Sequence, residues 1–342
     1  KMKVLSLFDG LSGAQLALQK LGIPVDKYVA SEVDPYAIKV TQSNFPETIQ
    51  AGDVQKYKVK EHFDLITFGS PCQGFSFAGK NLNFDDPRSK LFFEAVRILE
   101  EAKAINPNIK FLMENVRMKK ESEHVISKYL RVEPIAINSN IFSAQNRYRL
   151  YWTNLNVGEL PQDKGIVLKD ILEDDFITDR DKSHCIDANY FKGGNLKSYF
   201  EKHRRQLVFS KDGLCHVGDA DLKGHDAIKR VYHIDGKSPT LTTMGGGHRE
   251  PKIMQRARGW NKGGLKALNG KTPSITTSAW QDNNHLTKDD GATWRKLTPL
   301  ECERLQTVPD NYTNHVSNTQ RYKMLGNGFN VDTIAFLLAD LK

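Results

Sequence analysis

Short apolar runs alternate with stretches of helical periodicity through the first 155 residues. Val4–Phe8 predicts a buried strand, followed by the turn Asp9-Gly10-Leu11-Ser12-Gly13 and a helical pattern through Leu21. Val25–Ser31 predicts a second strand ending at Glu32-Val33-Asp34, with a helix over Pro35–Asn44. Asp64–Gly69 is another strand, Lys90–Ala104 repeats apolar residues at helical spacing, and Phe111–Glu114 is strand-like again. A helical stretch near Lys119–Leu130 precedes Val132–Asn138 and Arg149–Thr153, which close the series. Strands alternating with helices in this way predict an α/β fold with a mostly parallel sheet and helices on both faces. In such sheets ligands bind beyond the carboxyl ends of the strands, so residues at strand ends can meet.

From about Leu160 to Asn284 the rhythm breaks, and short apolar runs among Gly, Asn, Lys and Thr predict β-structure with long loops. Gly236-Lys-Ser-Pro-Thr-Leu-Thr-Thr243 and Gly270-Lys-Thr-Pro-Ser-Ile-Thr-Thr277 repeat each other, too few copies for a solenoid. Regularity returns over Trp294–Lys342, with helices expected at Thr298–Leu305 and Asp332–Leu341 around Leu325-Gly326-Asn327-Gly328-Phe329. The expected layout is a first domain over 1–159, a smaller irregular β-rich domain over 160–293, and a segment over 294–342 folding back onto the first domain.

The 342 residues are 39% hydrophobic and 26% charged, ordinary for a globular chain and unlike a disordered one. The absence of an 18-residue apolar run excludes a helical membrane span, and KMKVLSLFDG turns polar too quickly for a secretory signal. Four scattered cysteines, Cys72, Cys185, Cys215 and Cys302, suit a reducing, cytoplasmic compartment. Lys and Arg number 49 against 41 Asp and Glu, a balance of +8 that favours a polyanionic partner without proving one. His184-Cys185 and Cys215-His216 are adjacent pairs, and adjacent ligands rarely converge on zinc, so no metal is expected.

Gly10 and Gly13 lie between the first strand and helix, with the spacing G-x-x-G in place of the G-x-G-x-x-G that wraps a pyrophosphate. Glu32, at a strand end, can accept from ribose hydroxyls, and Asp53, beside Val54, from an adenine amine. Together they suit a nucleoside cofactor without a diphosphate; a purely structural glycine pair is the alternative. Cys72, in Gly69-Ser70-Pro71-Cys72-Gln73-Gly74-Phe75-Ser76, stands just past a strand's carboxyl end, where the choice is between a nucleophile and a buried inert thiol. Glu114 ends a strand as well, as a proton donor at a crevice or as a surface carboxylate capping a turn. Arg147 and Arg149, two apart on an expected strand, can reach one anion or form a solvated edge.

These pieces have an order. Phe8-Asp-Gly-x-Ser-Gly13, Pro71-Cys72-Gln73, Glu114-Asn115-Val116, Gln145-x-Arg147-x-Arg149, Arg295-x-Leu-Thr-Pro-x-Glu-Cys-x-Arg-Leu-Gln306 and Gly326-Asn327 resemble the ordered motifs of the DNA cytosine-C5 methyltransferases. The resemblance covers 1–155 and 294–342, and Val132–Thr153 is similar to the branch of the animal de novo enzymes and their prokaryotic and phage relatives. It departs at Gly328-Phe329, where the family places a small residue and Val, and at Val308, where an aromatic is common.

The resemblance implies an S-adenosylmethionine-dependent, Rossmann-like methyltransferase acting on double-stranded DNA. Cys72 would attack C6 of a flipped-out cytosine, Glu114 would protonate or hydrogen-bond N3, and C5 would take the methyl of S-adenosyl-L-methionine. Arg147 and Arg149 would hold the base and its phosphate or orient Glu114. Phe8, Asp9, Gly10, Gly13, Glu32, Val33, Asp53, Val54 and Pro71 would line the cofactor pocket, with Asn327 near its methionine end. Gly74–Ser89 would close over the base on hinges at Gly74 and Gly79, with Gln73, Ser76, Lys80 and Arg88 on the DNA. The middle domain corresponds to target recognition. Lys192–Arg205 holds five basic residues against one acidic, and Pro251–Trp280 six and none, with Trp260 and Trp280 interleaved. Phosphate contacts or a solvated basic face account for both, and His248, Arg249 and Arg256 are candidate readers of base or phosphate. The same chemistry on tRNA, a silent DNA-binding regulator and a nicotinamide-dependent oxidoreductase are the alternatives. The long middle region argues against the first, the retained Cys72 and Glu114 against the second, and the missing dinucleotide turn against the third.

Overall fold

The structure, a computed structural model, describes residues 2–70, 87–194, 199, 202–210 and 294–342, with five short strands between 216 and 285. It divides into two compact units: one of 1–166, 187–191 and 299–342, the other of 167–186 and 192–298.

The first unit is built on a seven-stranded sheet. In chain order its strands are β1 (Met2–Leu7), β2 (Val25–Ser31), β3 (Ile49–Gln50), β4 (Leu65–Phe68), β5 (Lys110–Val116), β6 (Ile135–Asn138) and β7 (Tyr148–Thr153). Across the sheet they run β3-β2-β1-β4-β5-β7-β6. The five strands from β3 to β5 are parallel, with Val4 paired to Tyr28 on one side and Leu65 on the other. Covered on both faces, β4 is buried at all four positions, with Thr67 the one polar side chain among Leu65, Ile66 and Phe68. The helices are α1 (Gly13–Leu21), α2 (Pro35–Asn44), α3 (Pro87–Ile105) and α4 (Lys120–Leu130), then α5 (Pro299–Leu305), α6 (Asn318–Asn327) and α7 (Val331–Leu337). Leu5, Leu7, Ile66, Phe68, Phe111, Met113 and Trp152 form one buried cluster with Ala95, Ile98 and Leu99 of α3 and Ile126 and Leu130 of α4. At the other end of the chain, α7 packs on α1, where Lys20 and Lys164 both grip the carboxylate of Asp332.

Three features differ from the sequence pattern. β7 is antiparallel to both β5 and β6. Residues 139–147 are too few for a crossover, which needs roughly a dozen, so the chain can only turn back. The helix α6 has only Tyr322, Met324 and Leu325 as large buried positions, so it shows no helical stripe, and it takes in Leu325–Asn327, expected as an inter-helix loop. The last helix stops at Leu337, and Ala339–Leu341 form a separate 3-10 turn.

In the second unit β8 (Leu207–Phe209) pairs antiparallel with β14 (Trp294–Lys296). β9 (His216–Asp219) pairs with β10 (Arg230–Tyr232). β11 (Lys252–Gln255) lies between β12 (Gly264–Ala267) and β13 (Asn284–His285). Beside β8, Tyr199 donates to Asp179 at 2.6 Å, Gln206 donates to the Tyr199 hydroxyl at 2.7 Å, and Arg180 pairs with Asp179 at 2.9 Å. The repeats at 236–243 and 270–277 fall outside the described residues. Among the described residues no helix is long and apolar enough to cross a membrane, and no cluster of His, Cys, Asp and Glu could hold a metal ion.

Candidate functional site

The order of strands turns around between β1 and β4, and there a cleft of about 510 Å³ opens at the carboxyl ends of the parallel strands. Its first wall is the turn after β1. Phe8, Gly10 and Ser12 all adopt left-handed backbone conformations, with φ of +54°, +57° and +59°. Only Gly10 does so freely; Phe8 and Ser12 each cost about 1–2 kcal/mol, and what holds them is the carboxylates around the turn. Glu32 accepts from Gly10 N at 2.8 Å, Val33 N at 2.7 Å and Asp34 N at 2.8 Å. Asp9 lies beneath, accepting from the Ser12 hydroxyl and from Tyr28 at 2.8 Å. Burial pushes the Asp9 carboxyl up to about 6, against the pull of its hydroxyl donors. Asp9 therefore lines the cleft while its carboxyl oxygens brace the turn from inside.

Around the rim, Val33 is 68% exposed, Val54 is buried, and Asp53 accepts from Gln55 N at 2.9 Å. Lys323 of α6 reaches Asp34 at 3.2 Å, and both side chains line the cleft. The group this cleft fits is a nucleoside without a diphosphate. Glu32 retains lone pairs for hydroxyl donors, Asp53 retains an oxygen for an amine, and no glycine-rich phosphate cradle follows β1. These are the features of S-adenosylmethionine.

The deeper wall carries a second carboxylate. Glu114, on β5, is 8% exposed, and its Oε1 lies 3.0 Å from Arg149 Nε as an ion pair. Among the described residues no hydrogen bond meets that oxygen, so a buried carboxyl oxygen is left for a polar group entering the cleft. Beside it Asn115 donates to the Ser70 hydroxyl at 3.5 Å. Gly69 and Ser70 line the cleft, so β4 delivers the chain to the cleft wall two residues before Cys72.

Arg147 departs from the expected pairing with Arg149. It precedes β7, outside the strand's alternation, with its carbonyl accepting from Ser139 N and its amide donating to Asn138 Oδ1. Its guanidinium, in a residue 1% exposed, donates to the carbonyls of Gly328 at 2.8 Å and Gly326 at 3.3 Å.

The Gly326–Phe329 stretch closes the cleft. A Cβ on Gly326 would lie 2.2 Å from the backbone of Asp187, so only glycine fits there. Phe329 packs between Gly13 and Gly69, each of whose virtual Cβ atoms lies 3.1 Å from it. The bulky Phe thus occupies room left by two absent side chains. The side chain of Asn327 is exposed at the cleft wall.

The structure therefore gathers Phe8, Asp9, Gly10, Gly13, Glu32, Val33, Asp53, Val54, Glu114, Arg147, Arg149 and Asn327 around one cleft. Pro71, Cys72, Gln73, Gly74, Ser76, Gly79, Lys80, His248, Arg249, Arg256, Trp260 and Trp280 lie outside the described residues, as does the side chain of Arg88. Asp34, Leu91 and Lys323 also line the cleft, beyond the residues expected there. Asp34 was legible as the acidic helix cap it forms, accepting from Tyr36 N, but nothing local points Lys323 at it.

The family model of the C-5 cytosine-specific DNA methylases matches residues 2–342. Orphan methyltransferase M.SPBetaI of Bacillus phage SPbeta is 29% identical, covering 100% of this chain and 97% of its own length. Type II methyltransferase M.HhaI of Haemophilus parahaemolyticus is 26% identical over 98% and 93%. Among solved structures, the S. pombe Dnmt2 methyltransferase covers 99% of this chain and 98% of its own, with a TM-score of 0.56 at 20% identity, a likeness of fold. With its Rossmann-like sheet and the family match along its whole length, the chain belongs to the C-5 cytosine-specific DNA methylase family and is a methyltransferase.

Proposed function

We propose that the protein methylates C5 of a cytosine flipped out of duplex DNA, using S-adenosyl-L-methionine and a covalent bond from Cys72. The observation that carries the reading is the buried, hydrogen-bond-poor Oε1 of Glu114, beside Arg149 in the cleft that Glu32 and Asp53 also line. The DNA named in the family description supports DNA as substrate.

Cys72 adds its thiolate to C6 of the ring, which moves electron density to C5 and N3. Glu114 in its protonated form donates a hydrogen bond or its proton to N3 and stabilises the charge arriving there, and Arg149 orients the carboxyl. When bound, the cofactor supplies an electrophilic methyl to C5. A water molecule or hydroxide then takes the C5 proton, the C5–C6 double bond re-forms, Cys72 leaves as thiolate, and N3 returns its proton to Glu114. Glu32 and Asp53 orient the nucleoside, and the base reaches the cleft once it has left the stack.

The test is transfer of labelled methyl to unmethylated duplex DNA, with tRNA as competitor, followed by bisulfite sequencing. Cys72→Ser is expected to abolish transfer while leaving cofactor binding intact. Full activity in that variant overturns the mechanism, and preferential labelling of tRNA overturns the DNA assignment.

A further inference from the structure

Arg147 occupies a place that the duplex-binding reading of its motif does not explain. Its main chain is pinned on both sides by Asn138 and Ser139, and its guanidinium is buried against the C-terminal end of α6. The last carbonyls of a helix have no intrahelical partner and carry the negative end of its dipole. The final turn of α6 contains no basic residue of its own. Arg147 supplies that cation from a distant part of the chain, donating to Gly326 O and Gly328 O.

Gln306 completes the cap, donating to Leu325 O at 2.6 Å and Gly328 O at 3.3 Å. Gln145 in turn donates to Leu305 O and to Gln306 Oε1, both at 3.3 Å. The carbonyls of 325, 326 and 328 are thereby held from one side, which leaves Asn327 facing the cleft and Phe329 wedged between Gly13 and Gly69.

We infer that Arg147 is a positioning residue for the C-terminal wall of the cofactor pocket, acting by capping the carbonyls of Gly326 and Gly328. Two arginines two residues apart then have divided tasks. Arg149 holds the Glu114 carboxyl, and Arg147 holds the wall across the cleft, so the start of β7 gauges the distance between base-binding and cofactor-binding groups. Without Arg147 the buried carbonyl of Gly326 and the part-buried carbonyl of Gly328 lose a charged donor, and the wall is free to shift. The loss falls on cofactor affinity and leaves contact with DNA alone.

The inference rests on the cleft being the S-adenosylmethionine site, so the first measurement is calorimetric binding of S-adenosylhomocysteine to the wild-type full chain. Failure there overturns the proposed function and is distinct from any effect of changing Arg147. In Arg147→Met, the Kd for S-adenosylhomocysteine and the KM for S-adenosylmethionine are expected to rise about tenfold or more, the loss of a charged hydrogen bond. The kcat at saturating cofactor and the Kd for unmethylated plasmid DNA are expected to stay within about threefold, a small change against that loss. Arg147→Lys, whose ammonium can donate to both carbonyls, should restore most of the affinity. Gln306→Leu, a second route to the same wall, should move the same constants if Arg147→Met does not fold. Unchanged S-adenosylhomocysteine affinity with weakened DNA binding, or a fallen kcat at unchanged KM, overturns the assignment.

Discussion

Asp9 shows how a residue adjoining a ligand can be set by the protein interior. Its carboxyl is enclosed by Ser12, Tyr28 and the turn it braces, and burial lifts it from 3.8 to about 6. A folded-state value above the unfolded one means that folding binds a proton over that interval. The stabilising contribution is complete below about pH 3.8 and is lost as pH rises through about 6. The shift corresponds to about 3 kcal/mol of stability forgone at neutral pH. In Asp9→Asn, which keeps an acceptor for Tyr28, urea unfolding should lose most of its decline between pH 4 and 6.5. A variant with the wild-type slope would place the titration elsewhere. The sequence identified Asp9 as a cofactor-side residue, but whether a strand-end carboxylate faces out or in depends on the left-handed turn around it. Phe8 and Ser12 are not residues that announce such backbone angles.

At the scale of elements, the sheet was the most legible part, because a strand covered on both faces needs a solid apolar run and no partner's identity changes that. The boundaries of β1, β2, β4 and β5 lie within a few residues of the apolar runs that signal them. The direction of β7 and the existence of α6 were less visible, since one depends on the length of a connection and the other on a face recognised only by its contacts. Gly326 makes the second case testable. A glycine inside a helix ordinarily costs about 1 kcal/mol relative to alanine, so local propensity favours Gly326→Ala. Tertiary contact opposes it, because the new methyl would stand 2.2 Å from the Asp187 backbone, which has no flexible end to move. Overpacking of this kind costs typically about 1–3 kcal/mol and occasionally more. Gly326→Ala should therefore lower Tm by a few degrees, at roughly 1–2 °C per kcal/mol for a chain of 342 residues. Gly158→Ala, with nothing within 4 Å of its Cβ position, should leave Tm nearly unchanged. Equal melting of the two variants would mean that the 187–188 backbone yields freely.

For the molecule as a whole, the first unit is assembled from three separated stretches of chain, and Asp187–Phe191 joins it from inside the region of broken rhythm. No periodicity reports such a return; only the need for a glycine opposite Asp187 does, and that need is visible only in three dimensions. Among the contacts that fasten the C-terminal stretch to the rest is Asp332, which takes Lys20 from α1 and Lys164 from the segment after β7. Burial alone would raise its carboxyl, but the hydrogen bonds and charges of the two lysines outweigh it, so Asp332 stays below its ordinary value. The sign is opposite to that of Asp9: stability is present above the unfolded value of 3.8 and is lost as pH falls through the lower folded value. Both lysines are about half exposed and regain water when the carboxylate is removed. Asp332→Asn should therefore cost only about 1–2 kcal/mol near pH 7, below the cost of breaking a fully buried pair. Wild type and variant should converge in urea unfolding as pH falls below the lowered folded value, where the wild-type carboxylate takes up its proton and the lysines lose their partner in both proteins. A difference that persists undiminished at that pH would show that the fastening comes from the packing of α7 on α1, with the charges of Lys20, Lys164 and Asp332 incidental to it.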